Sequence, residues 1–172
     1  MNVLIIRHAE AEDREIFAQT GEPDHKRPLT EEGRKAARRT ARALAEMVER
    51  IDLLASSPFV RALETARIVS RQYQDLDIRQ AECLAPGQGP AKIIDWLSAQ
   101  PPAMRSIVLV GHEPDLSQLV GLSIAERAYS PVKLSKAGAC LIEFGGEARP
   151  GGGVLHWLLT AAQLELIARG VR

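Results

Sequence analysis

Val3-Leu4-Ile5-Ile6, followed at once by Arg7-His8, is the stretch that decides the fold. Four apolar residues in a row read as a strand covered on both faces, because a strand with one wet face would alternate apolar and polar residues. Strands of that kind belong to parallel sheets with helices packed above and below. Two further runs repeat the pattern. Leu53-Leu54-Ala55 stops at Ser56-Ser57-Pro58, and Ile107-Val108-Leu109-Val110 stops at Gly111-His112. Each run therefore ends at its carboxyl end in residues able to do chemistry.

Helical patterns lie between these strands. Thr30-Glu31-Glu32 supplies a cap and acids for a first turn, and Ala37, Thr40 or Ala41, Leu44, Met47 or Val48, and Ile51 recur at helical spacing. Ser57 reads as the cap and Pro58 as the first position of a second helix carrying Val60, Leu63, Ala66, Val69 and Tyr73. A weak strand is predicted near residues 76–78, a short helix near 93–97, and a helix opening at Pro114. Residues 140–144 and 154–158 flank a glycine-rich connector and read as an antiparallel pair. The segment from Ala9 to Pro28 is polar and broken by Gly21 and Pro23, a long excursion of the type that usually serves function. These elements predict one domain over residues 1–172: an α/β, three-layer αβα sandwich around a mostly parallel sheet with an antiparallel edge pair.

Composition narrows the function. Lys plus Arg and Asp plus Glu both number 22, so the formal charge is zero. The first 86 residues carry 14 basic and 15 acidic side chains, so the balance is not two opposite tails. Nucleic acid and anionic membrane are thus not the expected partners. No apolar run approaches the roughly 20 residues of a bilayer span, and Arg7 and His8 interrupt what a secretory signal would need. The expected compartment is the cytoplasm, where Cys83 and Cys140, which form no CxxC pair, stay reduced as packing residues.

In a parallel sheet ligands bind at the carboxyl ends of the strands, beside a switch point in strand order. That rim would gather Arg7, His8, His112 and Arg61, the last in the first turn of its helix. Guanidinium forks match phosphate oxygens, and a helix amino terminus adds partial positive charge. A neutral imidazole is a competent nucleophile towards phosphorus, and an imidazolium beside it would complete a dianion site. Taken singly, Arg-His, Ser-Pro-x-x-Arg and Gly-His are ordinary strand ends and helix starts; their coincidence on one rim carries the signal. His25 reads as a solvated loop residue, His156 as a structural member of the edge hairpin, and Glu113 and Asp115 as helix-start acids. The Arg34, Lys35, Arg38, Arg39 and Arg42 face is balanced by Glu31, Glu32, Glu46 and Glu49 and reads as solvated surface.

The run Leu4-Ile5-Ile6-Arg7-His8-Ala9-Glu10, with Arg27-Pro28-Leu29-Thr30 and Gly33, Ser56-Ser57-Pro58 with Arg61, Ala62 and Thr65, and Val110-Gly111-His112-Glu113-Pro114, resembles the histidine phosphatase superfamily, whose fold is phosphoglycerate mutase-like. The short chain, Leu84-Ala85-Pro86-Gly87 and the His-Glu-Pro wording are similar to its SixA-type phosphohistidine phosphatases. The resemblance implies a metal-independent, cofactor-free hydrolase with His8 as the phosphorylated nucleophile and Arg7, Arg61 and His112 binding the phosphate. It also implies a role in signal transduction, the substrate being phosphohistidine in a partner protein or, in the second reading, a small phosphomonoester.

Two departures stand out. Better-known members carry glycine where this chain has Ala9, and larger members carry an acid on an inserted loop that is missing here. Glu82 lies near the equivalent region and is the candidate proton donor. Without a positioned acid, rates should fall steeply as the leaving group becomes more basic, favouring P–N bonds and aryl phosphates over alkyl phosphates. Other classes make different demands: a metal-dependent hydrolase using His8, His112 and carboxylates would lose activity on chelation, and a non-catalytic phosphate-binding module would form no covalent intermediate.

Overall fold

The computed structural model describes residues 1–130 and 132–170. In chain order the elements are β1 (Asn2–Arg7), α1 (Arg14–Ala18), α2 (Glu31–Met47), β2 (Leu53–Ser56), α3 (Val60–Ser70), β3 (Ile78–Gln80), α4 (Pro90–Ser98), β4 (Ser106–Gly111), α5 (Asp115–Ala125), β5 (Ala139–Phe144), β6 (Gly153–Leu159) and α6 (Ala161–Gly170). The six strands form one sheet in the order β3-β2-β4-β1-β5-β6. Strands β1 to β4 run parallel, while β5 is antiparallel to both β1 and β6. This is the expected α/β sandwich with its antiparallel pair.

The apolar runs are uninterrupted because each face of the sheet has its own core. Val3, Ile5, Ile107 and Leu109 pack with Ile93 and Leu97 of α4 and Leu116 and Leu119 of α5. Their alternates Leu4, Ile6, Val108 and Val110 pack with Ala41 and Leu44 of α2, Ala62 and Ala66 of α3, and Leu164 of α6. A period of two thus carries every second side chain to the opposite helical layer.

Helix α2 starts as its sequence dictates, the Thr30 hydroxyl accepting a hydrogen bond from the Gly33 amide at 2.9 Å. It ends at Met47, short of Ile51, because Val48 is extended and Ile51 is already buried on the way into β2. A Cβ on Gly33 would lie 2.0 Å from the Glu10 carbonyl oxygen. Only glycine lets the first turn of α2 approach the chain that leaves β1 so closely. The weak strand forms at Ile78–Gln80, two residues later than predicted. Helix α6 was not anticipated. Its start is a reciprocal cap in which the Thr160 amide donates to the Gln163 side chain at 2.9 Å and the Gln163 amide donates to the Thr160 hydroxyl at 3.3 Å.

Strand order places the switch point. After β1 the chain crosses through α2 to β2, leaving a gap that β4 later fills, so β4 lies between β2 and β1. In register, Ser56 pairs with Val110 and Gly111 with Arg7. The carboxyl ends of β2, β4 and β1 therefore stop side by side.

Candidate active site

At that shared edge a cavity of about 520 Å³ opens, with Arg7, His8, Arg61 and His112 all in its wall. Four side chains that stand far apart in the sequence are brought together by three strand ends and one helix.

His8 follows β1, and its amide donates to the Gly111 carbonyl at 3.1 Å, extending the β1–β4 pairing by one residue. Its imidazole is buried, with Nδ1 2.7 Å from the Ala9 carbonyl oxygen. A carbonyl only accepts, so the proton sits on Nδ1 and Nε2 keeps its lone pair. Burial first of all, and then the charges of Arg61, Arg7 and Arg27, lower the His8 pKa from 6.5 to about 4, against the opposing bond to Ala9. At neutral pH this imidazole is uncharged and nucleophilic at Nε2.

Ala9 is fully buried and packs in a small cluster with Leu29, Ala37 and Ala137, outside the cavity wall. The methyl group that replaces glycine's hydrogen therefore takes no room from a phosphate. The Ala9 amide donates to the Thr65 hydroxyl at 3.1 Å, and that hydroxyl donates to the Arg61 carbonyl at 2.8 Å. The first turns of α3 are thus fastened to the turn that carries His8.

The His112 ring lies 4.9 Å from the His8 ring, centroid to centroid. Its Nε2 is 2.8 Å from the Ser57 hydroxyl. Ser57 does not cap α3, whose first flanking residue is Phe59; it holds His112 instead. Phe59 packs edge-on against His112 at 5.3 Å and beneath the Arg61 guanidinium at 4.9 Å. Burial, followed by the proximity of His8 and Arg61, lowers the His112 pKa to about 2. The imidazolium expected from the sequence is therefore a neutral ring that donates through one N–H.

Arg61 is almost wholly buried, and its Nη1 donates to both the carbonyl oxygen and the carboxylate of Asp24, at 3.0 and 3.2 Å. Asp24 also accepts from Arg27 Nε at 2.9 Å. Partial burial opposes ionisation of Asp24, but the bond to Arg27 and the charge of Arg61 hold its carboxyl below the usual range. Arg27 itself lines the cavity and donates to the Glu12 carbonyl at 2.6 Å. The polar excursion from Ala9 to Pro28 therefore forms one wall, and Asp24 and Arg27 are site residues that sequence spacing did not single out. The signal available was Arg27 itself, an arginine next to a proline at the end of a long loop.

Buried polar atoms without a partner inside the protein gather here. Arg7 Nε, Arg61 Nε and His112 Nδ1 are all buried and unbonded, and Glu113 Oε1 joins them. Such groups cost free energy unless a ligand bonds them. Three nitrogens on two guanidiniums and an imidazole suit an oxyanion.

The proton-donor expectation needs correction. Glu82 is exposed in a single helical turn, Glu82–Leu84, and is not part of the cavity wall, whereas Pro86 is. The Leu84 to Gly87 loop is held by Asp115, whose carboxylate accepts from the Gly87 amide at 2.6 Å. The helix-start acids thus have other work: Asp115 anchors that loop, and Glu113 lines the cavity. His25 lies against Phe59 with ring centroids 6.1 Å apart, and His156 pairs with Glu143 at 2.6 Å on the β5–β6 hairpin. Cys140 is buried and Cys83 partly so; burial raises both thiol pKa values, Cys140 to about 12, as packing residues require. Among the described residues no three His, Cys, Asp or Glu side chains converge as a metal-binding group, and no helix is long and apolar enough to cross a membrane.

The model of the histidine phosphatase superfamily (branch 1) matches residues 3–85, which include His8, Arg61 and all of β1 apart from Asn2. A relative from Picosynechococcus is 30% identical over 141 residues, covering 80% of this chain and 82% of its own. The chain belongs to the histidine phosphatase superfamily. An Agrobacterium tumefaciens structure assigned as the phosphohistidine phosphatase SixA superposes with a TM-score of 0.76 at 25% identity, over 92% of this chain and 97% of its own. The mitochondrial serine/threonine-protein phosphatase Pgam5 of Drosophila ananassae is 30% identical over 118 residues, 68% of this chain but only 35% of the fly protein. In this superfamily member the matched segment ends at Ala85, so β4 and His112 lie beyond it and enter the cavity through the tertiary fold alone.

Proposed function

We propose that residues 1–172 act as one domain, a metal-independent phosphatase in which His8 Nε2 takes the phosphoryl group and water then removes it. The observation that carries this reading is the fixed proton on His8 Nδ1, which leaves Nε2 free in a cavity lined by Arg7, Arg61 and His112. The phosphoryl oxygens would lie on Arg7, Arg61 and Arg27, with the charge that develops during transfer met by the His112 N–H. Splitting one displacement into two lets a neutral imidazole do what water alone does slowly.

The substrate we favour is phosphohistidine in a partner protein. It is supported by the likeness to SixA and by the leaving group, since a departing imidazole has a pKa near 6.5 and needs little protonation by the enzyme. The two free cysteines suit a reducing compartment such as the cytoplasm. A second reading, a phosphomonoesterase with the same pocket, is supported by a carboxyl group, Glu113, in the cavity wall and by the relative that acts on serine and threonine phosphates. Turnover on a phosphohistidine protein and on aryl and alkyl phosphates, measured side by side with chelator present, tests the proposal. Phosphohistidine is expected to be cleaved fastest, and loss of all activity on chelation would refute the metal-independent reading.

Arg61→Lys is expected to weaken both inhibition by inorganic phosphate and the rate of turnover. An ammonium cannot present two parallel donors, and Asp24 would still compete for the charge that remains. Wild-type constants in that variant would show that charge alone matters at this position.

A further inference from the structure

We propose that Glu113 is the proton-transfer residue of this site, and that its substrates therefore extend to phosphate esters of aliphatic alcohols. The proposal rests on the reading of His8 as the phosphoryl acceptor. Besides Glu113, three acids line the cavity. Glu10 is ion-paired with Lys136 at 3.1 Å, with both side chains about half exposed. Asp13 caps α1, accepting from the Glu15 and Ile16 amides at 2.9 and 3.1 Å. Glu12 is exposed on the excursion and engages Arg27 through its backbone carbonyl.

Glu113 differs from all three. It follows His112 directly and is partly buried, and its Oε2 accepts a short hydrogen bond from the Ser117 hydroxyl. Ser117 is itself buried, and its oxygen also lies 2.9 Å from the Ser130 hydroxyl and 3.0 Å from the Pro114 carbonyl, but its shortest contact, and so its proton, is to the carboxyl group. That bond fixes one oxygen as an acceptor and leaves Oε1, buried and without any partner in the protein. No cation among the described residues forms an ion pair with Glu113, whereas Asp24 is held ionised by three arginines, Arg14, Arg27 and Arg61. A carboxyl group with one oxygen accepting and the other unpartnered is arranged to carry a proton on the free oxygen and give it up.

The two steps then balance. As His8 Nε2 bonds to phosphorus and the P–O bond to the alcohol breaks, the Glu113 Oε1 proton passes to the departing oxygen. In the second step a water oxygen bonds to phosphorus, the Nε2–P bond breaks, and the water proton returns to Glu113 Oε1. The sum is ester plus water giving alcohol plus phosphate. An alkoxide is too basic to leave unprotonated, which is why a positioned acid widens the substrate range. The steep dependence on leaving group expected from the sequence should accordingly be shallow in the wild type.

The test compares kcat/KM for p-nitrophenyl, phenyl and glycerol phosphates in wild type, Glu113→Gln and Glu113→Asp, with phosphoenzyme trapping alongside. Glu113→Gln is expected to lower the alkyl phosphate value about 100-fold or more, within the usual range for general acids, and the p-nitrophenyl value far less. The plot of log kcat/KM against leaving-group pKa steepens, and Glu113→Asp restores part of the loss. Equal losses for every leaving group, or none, would overturn the proposal, as would a wild type that leaves alkyl phosphates untouched. Should Glu113→Gln fail to fold, Ser117→Ala, which frees the carboxyl group, must show the same steepening in milder form. A wild type that turns over p-nitrophenyl phosphate without any acid-labile phosphoenzyme would instead refute the role of His8, a separate failure.

Discussion

His8→Ala is expected to abolish turnover of every phosphorylated substrate while the protein remains folded. The variant loses the imidazole lone pair that the structure frees inside the cavity, because Nδ1 of His8 is committed to the Ala9 carbonyl and Nε2 is not. Folding survives because what holds this position is backbone: the His8 amide on Gly111 and the Ala9 amide on Thr65, neither of which uses the imidazole. Brief incubation of wild type with labelled substrate, followed by quenching, should give a phosphoprotein stable in base and labile in acid, as expected of phosphorus bonded to nitrogen. Label that survives acid, or that persists in His8→Ala, would place the covalent bond elsewhere. Circular dichroism and thermal melting of the variant separate loss of chemistry from loss of fold.

His112→Ala is expected to lower kcat by roughly 100- to 1,000-fold, about 2.7 to 4 kcal/mol, the usual cost of losing one preorganised donor to a developing oxyanion. The size follows from preorganisation. His112 is held by the Ser57 hydroxyl on one side and the Phe59 edge on the other, so it needs no reorganisation when charge grows on the transferring group. Because the ring is neutral before substrate binds, its removal should affect the rate more than the affinity for inorganic phosphate. Single-turnover rates and phosphate inhibition constants report the two separately. A loss below tenfold, or an equal loss in both, would mean that His112 does not meet the transferring oxygens.

The strands β1, β2 and β4 were legible because burial on both faces leaves no room for a polar residue, so each appears in the sequence as an unbroken apolar run. The rim was legible for the same reason: once three parallel strands are given, Arg7, His8 and His112 must end at one edge, with Arg61 a turn beyond the third end. Helix α6 had a readable start in Thr160 and Gln163, but its apolar stripe is short, with Leu164 its one fully buried side chain among the described residues. The amino-acid order therefore determined the layers, the edge on which chemistry could occur, and the four side chains carried to it.

The tertiary structure alone decided which charges face each other there. Asp24 and Arg27 reach Arg61 and the cavity across the excursion, Ser57 turns to His112 instead of capping α3, and Glu113 enters the wall while Glu82 stays outside. These outcomes depend on distances across the fold and on which groups lose their water. Periodicity records the burial of a segment, but a hydrogen bond or a desolvated imidazole requires the position of atoms supplied by other segments, and neither leaves a mark in local sequence.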